Sequence, residues 1–420
     1  MKQKTWFTLH YWAGFHFSLL LSFVLLMGTL ATISTELDWL TNPAIRAEHQ
    51  VSEKQLIDWP ALLQAVNQDY PKDKIERINR PSMPWHNIEV IARDQENQRF
   101  RIYLDAVNHN ITGEGKWHNF QRFIRESHRH LKLPLPIGIS IVGSLSIAML
   151  LLFISSLFIY SHWWKYFFTF ERIKTSFKLA RIKTQPINLR KEASTKRRFW
   201  AELHKFIGLW CLWFVLLVSI TGAWYLAERW GAGVRYPAIK NSVNHNQSGN
   251  LDVQPTKALS RAIDYMQINH PEFTINQVRF VAAKNIIEIH GQEDAILVRD
   301  RANKKVFDNL TGEFIGGHNG SELDWHFRIS EAADPLHFGA FSSWHYRYVW
   351  FAFGLALSFL SFSGIYMYFL RLRQTGALKL LEGRNSLYVL WLNSFWIKWP
   401  CLGLLCAWCY FAIRDLIFLP

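Results

Sequence analysis

The sequence predicts an α-helical integral membrane protein: four core transmembrane helices, a candidate fifth, and two α+β domains outside the bilayer, arranged as an internal parallel two-fold repeat. Three observations carry this expectation. Half of the 420 residues are hydrophobic and 15% are aromatic, and they gather into runs of more than twenty residues instead of spreading evenly. The formal net charge of +14 is confined to short segments between particular runs. Motifs of the first half recur, in order, in the second. The chain is too apolar to be disordered, and its four cysteines are too few for a disulfide scaffold.

The first span covers 5–35, with no Asp, Glu, Lys or Arg from Thr5 to Thr35. It is too long for a cleavable signal peptide and runs on into Glu36-Leu37-Asp38-Trp39 without a small-x-small site. Residues 36–132 form the first outer domain, in which 55–66 reads as an amphipathic helix and 88–91 and 100–104 as strands. The second span is 133–164, and the basic loop 165–200 follows. From His162 to Trp200 this loop region holds 11 Lys and Arg, including Arg172, Lys174, Lys178, Arg181 and Lys183, against Glu171 and Glu192. Such an excess marks the cytoplasmic side, which puts the N-terminus inside as well. The third span is 201–227. The second outer domain, 228–345, has a helix expected over 258–266 and strands over 286–290 and 295–299. The fourth span is 346–370, followed by a cytoplasmic linker, 371–386. Residues 387–413 are the candidate fifth span, interrupted by Lys398 and Pro400. An interfacial helix followed by a short span is the alternative there.

The repeat is the most informative feature. Leu9-His10-Tyr11-Trp12-Ala13-Gly14 matches Leu203-His204-Lys205-Phe206-Ile207-Gly208, and Gly28 matches Gly222, all at an offset of 194. Tyr70-Pro71 matches His270-Pro271, Thr112-Gly113-Glu114 matches Thr311-Gly312-Glu313, and Ile159-Tyr160 matches Ile365-Tyr366. The unit of helix, outer domain and helix therefore occurs twice in the same direction through the membrane.

Several of the 17 histidines stand at span ends. His10 and His204 fall at one depth, near the inner face. His128 and His337 fall at another, near the outer face. An interfacial imidazole is ordinarily an apolar body with a wet tip. Two repeat-related pairs at two depths instead suit two stacked haems, each between two imidazoles, because a neutral imidazole ligates iron without adding buried charge. His16, His130, His162 and His345 are reserve candidates. Gly14 and Gly208, one turn after each inner histidine, would let a flat ring approach the backbone, although close helix packing also uses such glycines.

Other chemistries lack their signatures. Cys406-Ala-Trp-Cys409 is followed by Tyr410, where attached c-type haem needs His. The cytoplasmic loop has neither a dinucleotide-binding nor a Walker motif, so electrons must come from another protein or from quinol. No protease or hydrolase motif occurs.

In this pattern the chain resembles the PepSY-associated transmembrane proteins, often described as iron-regulated membrane proteins. The residues that carry the resemblance are Leu9-His10-x-x-x-Gly14, Glu36-Leu37-Asp38, Tyr70-Pro71 with Thr112-Gly113, and Ser127-His128-Arg129-x-Leu131. In the second half they are Leu203-His204-x-x-x-Gly208-Leu209-Trp210, Thr221-Gly222, Pro335-Leu336-His337-x-Gly339 and Ser363-Gly364-x-Tyr366. The resemblance covers about 5–373 and implies two PepSY domains outside the membrane and four core helices. Members that act as ferric-siderophore reductases carry b-type haems between those helices. Met27-Gly28 stands where Thr-Gly is usual, and Ser127 where Leu is usual, which makes His130 an alternative ligand. The function so implied is an inner-membrane di-haem b protein that reduces a ferric siderophore in the periplasm, with quinol or a cytoplasmic reductase as donor. A membrane-anchored PepSY module that regulates a peptidase is the alternative. A transporter is disfavoured, because the middles of the core spans lack charged residues.

The inferred inner segments hold 17 Lys and Arg against 3 acids, and so contain the whole +14. The charge is a topology signal and a contact for anionic lipid, and not a nucleic-acid footprint.

Overall fold

In a computed structural model the structure describes residues 3–52, 55–167, 189–236, 239, 255–341, 343–375 and 398–418. The basic residues Arg172, Lys174, Lys178, Arg181 and Lys183, most of the linker 371–386 and the first part of the candidate fifth span lie outside the described residues. The chain divides into two compact units. One is built from Met1–Ile33, Ile124–Gly231 and Arg347–Ile413, the other from Ser34–Phe123, Ala232–Tyr346 and Arg414–Pro420.

The first unit is helical and apolar. Among the described residues, two of its helices, α6 (Leu135–Ile159) and α11 (Tyr346–Thr375), are long and apolar enough to cross a membrane. Two bent pairs make up to four such spans. Helices α1 (Gln3–His16) and α2 (Ser18–Thr32) meet at 69°, and α7 (Leu189–Trp210) and α8 (Leu212–Ala227) lie either side of a 65° bend. The expected first and third spans are therefore kinked and not straight. The breaks fall at Phe17 and Cys211, 194 residues apart, and both residues have φ near −90° and ψ near 0°. The Ser18 hydroxyl donates to the carbonyl of Phe15 at 2.8 Å, giving a partner to a group the broken ladder releases. Between helices, small residues make several of the closest contacts. Ser22 and Ser361 hydroxyls lie 2.7 Å apart, and a Cβ on Gly354 would come within 2.7 Å of Thr29 Oγ1. A Cβ on Gly222 would come within 3.0 Å of Ser146, and one on Gly143 within 2.9 Å of Leu226. Close backbone approach is how helices associate where no hydrophobic driving force separates them from lipid. The unit also contains the last turns of α5 (Phe120–His130) and helix α12 (Lys398–Ile413). At 16 residues the described α12 is shorter than a full span.

The second unit is an eight-stranded antiparallel sheet with strand order β4-β3-β2-β1-β5-β6-β7-β8. The first outer segment supplies β1 (Lys74–Asn79), β2 (Ile88–Arg93), β3 (Arg99–Leu104) and β4 (Ile111–Lys116). The second supplies β5 (Thr274–Val281), β6 (Ile286–Gln292), β7 (Asn303–Asp308) and β8 (Phe314–His318). The halves join where Ile78 pairs with Val278, flanked by Arg77 opposite Arg279 and Asn79 opposite Gln277. Helices α4 (Trp59–Asp69) and α9 (Pro255–Asn269) share one core with the sheet. Trp59, Leu62, Leu259 and Met266 pack there with Ile78, Ile88, Ile102, Val278, Ile287 and Phe307. Helix α3 (Ser34–Thr41) opens the unit, and α10 (Trp325–Phe338) closes the second outer segment.

Two expected elements are corrected. Helix α4 begins at Trp59 and not at Gln55, because Asp58 caps it by accepting from Ala61 N at 3.0 Å and Pro60 cannot extend a helix backwards. The strand expected over 295–299 is a loop: Leu297 has φ 54°, and the apolar Ala295 and Val298 fill a small cluster with Ala302. The strand lies further on, as β7.

Candidate functional site

Helices α1 and α7 each present the histidine singled out by the repeat. His10 Nδ1 lies 2.9 Å from Ser155 Oγ and 3.2 Å from the carbonyl oxygen of Leu152, both on α6. His204 Nδ1 lies 2.7 Å from Ser363 Oγ on α11. The two serines donate their own hydroxyl protons to main-chain carbonyls, Ser155 to Leu151 at 2.6 Å and Ser363 to Leu360 at 3.1 Å. Their oxygens are therefore acceptors towards histidine. The Leu152 carbonyl requires the His10 proton on Nδ1, and with the Ser363 hydroxyl proton on Leu360 the same tautomer holds for His204, which leaves each Nε2 with its lone pair. Among the described residues neither Nε2 makes a hydrogen bond. A charge on His10 would be felt at His204, so the repeat-related pair shares one neighbourhood.

The supporting residues repeat as well. Leu152-x-x-Ser155 and Leu360-x-x-Ser363 stand 208 residues apart. A Cβ on Gly14 would lie 3.7 Å from Leu152, and one on Gly208 would lie 3.8 Å from Leu360. Both glycines thus face the matching leucine at ordinary contact distance, and protein packing alone would admit a methyl group at either. The sequence marks Ser363 only as part of the Ser363-Gly364-x-Tyr366 motif, with no role beside histidine, and does not mark Ser155. The Leu-x-x-Ser signal was present, but the Ile-Tyr pairs that aligned the span ends register at 206, two residues away from the pairing the helices use.

His128 sits near the end of α5, where Nδ1 donates to the carbonyl of Val24 on α2 at 2.9 Å. Its ring occupies the space above Gly28, where a Cβ would come within 2.7 Å. Gly28 is thereby explained, whereas its repeat mate Gly222 faces Ser146. His337 lies in the last turn of α10, before the left-handed Gly339, and belongs to the sheet unit. That helix is tied down by Glu331, which is fully buried and accepts from Arg299 Nε and Nη2 at 2.7 Å each, from Arg301 at 3.2 Å and from Tyr236. Burial alone would raise the Glu331 carboxyl, but the hydrogen bonds from Arg299 and Tyr236 hold it below the usual range.

The reserve candidates are placed less suitably. His130 Nδ1 donates to the carbonyl of Leu133 at 2.8 Å, three residues on. His345 is exposed, stacked on Trp344 and bonded to Ser343. His16 rests against Trp12 and Phe15. His162 is exposed, with a left-handed φ of 61°. The structure thus brings His10 and His204 together, while His128 and His337 belong to different units.

The donor chemistry of the inner pair fits a haem. It offers two neutral imidazoles, each oriented through Nδ1 by a partner on another helix, with Nε2 the basic nitrogen. Among the described residues no cluster of three or more His, Cys, Asp or Glu forms an alternative metal site. A cavity of about 350 Å³ in the sheet unit, lined by Asp38, Tyr103, Glu114, Lys116 and His118 among others, contains none of the candidate ligands.

A family model described as the PepSY-associated TM region matches residues 7–371. No curated protein matches the chain.

Proposed function

We propose, for a chain that belongs to the family of the PepSY-associated TM region, electron transfer across the inner membrane to a ferric siderophore in the periplasm. The observation that carries this reading is the inner pair, His10 and His204, with matched Nδ1 hydrogen bonds to Ser155 and Ser363. These residues would hold a b-type haem, and His128 would be a ligand to a second. Haem at these positions supplies a one-electron iron couple. The protein's own part is to keep the imidazoles neutral, to fix their tautomer and plane through the serines and the Val24 carbonyl, and to exclude water with the surrounding apolar helices.

The topology in this reading puts the N-terminus and the basic loop in the cytoplasm and the sheet unit in the periplasm, with the parallel repeat setting two depths. The donor is quinol or a cytoplasmic reductase. One electron converts ferric to ferrous iron, which hard oxygen ligands hold far less tightly, so reduction releases it. Purified full-length protein is expected to show b-type absorbance after dithionite, at about two haems per chain, the number the two histidine pairs imply. His204→Ala should lower that ratio and abolish reductase activity. Wild-type protein with no b-type absorbance would overturn the reading in favour of a membrane-anchored binding module.

A further inference from the structure

We propose that Trp408, on the C-terminal helix α12, is a positioning residue for His128. Its indole N–H locks the end of α5 so that the imidazole stays seated on Gly28. Trp408 Nε1 donates to Ser127 Oγ at 2.8 Å, and Ser127 is fully buried. In an apolar surrounding such a bond is costly to lose.

The bond is one part of a three-helix junction. Ser127 bonds Trp408, and the next residue, His128, bonds the carbonyl of Val24 at 2.9 Å. On α2 the residue before Val24 is Phe23, whose ring meets that of Trp408 edge to face with centroids 5.6 Å apart. Adjacent residues of α5 are therefore fixed to two different helices, and adjacent residues of α2 touch both partners. Rotation or sliding of the α5 turn would break the Ser127 and His128 bonds together. The ring has little tolerance for such movement, since a single added methyl on Gly28 would overlap it at 2.7 Å. Trp408 lies beyond residue 371, where the family match ends, so the lock is supplied by an element outside the family's shared region.

The lock itself does not depend on haem. Its consequence for iron ligation by His128 rests on the function proposed above. The test uses the full chain in detergent, as wild type, Trp408→Phe, Ser127→Ala, the double variant and Ser127→Thr. Hydrogen–deuterium exchange is followed over residues 120–130, and the midpoint potential and electron paramagnetic resonance of each haem are recorded. Trp408→Phe and Ser127→Ala should each speed exchange about fivefold, the factor an ordinary protein hydrogen bond is worth. The double variant should go no further than either single one, and Ser127→Thr should behave as wild type. One haem signal should shift while the other stays fixed. Additive or absent exchange effects would overturn the proposal, as would faster exchange with both haem signals unmoved. Haem-free protein that still shows the non-additive exchange pattern would sink the haem reading and leave the lock standing.

Discussion

Two serines decide how the inner histidines are held. Ser155 and Ser363 accept the Nδ1 proton and thereby select the tautomer with a basic Nε2. Under the function proposed above, replacing either by Ala should weaken haem retention about tenfold, the lower end of what loss of a ligand's outer hydrogen bond costs. Titrating haem into the stripped variants checks this, and unchanged retention would remove the serines from the site. The histidines were legible in the sequence because their offset of 194 survives intact. Ser363 was legible only as a motif residue and Ser155 not at all, because a two-residue slip between the Ile-Tyr and Leu-x-x-Ser registers hides their match. Asp38 is a second informative residue. It accepts from the backbone N–H groups of Phe120 and Gln121 at 2.8 and 3.1 Å, at the start of α5, yet burial pushes its carboxyl up to about 6. An acid raised on folding favours the folded state while protonated, and that advantage is lost as pH rises from 3.8 through about 6. The change amounts to roughly 2–3 kcal/mol. Thermal unfolding of Asp38→Asn between pH 4 and 7 should therefore depend less on pH than wild type. An unchanged slope would place the titrating group elsewhere.

Among elements, the kinked spans and their glycines invite a paired comparison. Gly28→Ala would drive a methyl into the His128 ring and should destabilise by about 1–3 kcal/mol, the usual cost of overpacking. Gly14→Ala meets only Leu152 at 3.7 Å, so its fold should survive. If the haem face lies over that backbone, haem content falls in Gly14→Ala while the unfolding transition stays put. Calorimetry together with a haem-to-protein ratio separates the two effects. The long apolar helices were readable from composition. The 69° and 65° breaks were not, because neither Phe17 nor Cys211 is a residue that announces a kink. Strands β4 and β8 escaped notice for a different reason. They are glycine-bearing edge strands, with sequences ITGEGK and FIGGH, and lack the alternation that a half-buried strand shows.

For the molecule as a whole, the membrane unit and the sheet unit draw on interleaved stretches of chain, and the sheet is shared by both outer segments. The sequence predicts two domains from those segments, because neither the short pairing of β1 with β5 nor the core shared by α4 and α9 leaves a mark in either segment's own pattern. Its apolar content is Ile78 and Val278, both fully buried, between Arg77–Arg279 and Asn79–Gln277 pairs that resemble solvated positions. Val278→Pro removes an N–H and a side chain from the middle of that ladder. It should destabilise the sheet through loss of a ladder hydrogen bond and speed amide exchange in β2 and β6 alike. Faster exchange in β6 alone would mean that the halves are stable independently.

That central pairing also imposes an order on synthesis. Lys74, at the start of β1, precedes Thr274, at the start of β5, by 200 residues. At ribosomal rates this interval lasts about 10–40 s. Throughout it, the strand destined for the middle of the sheet is an open edge, with unpaired amides and Ile78 uncovered. The nascent first half therefore needs protection, from a chaperone or from its own helix α4, until the intervening apolar helices have been made and β5 arrives.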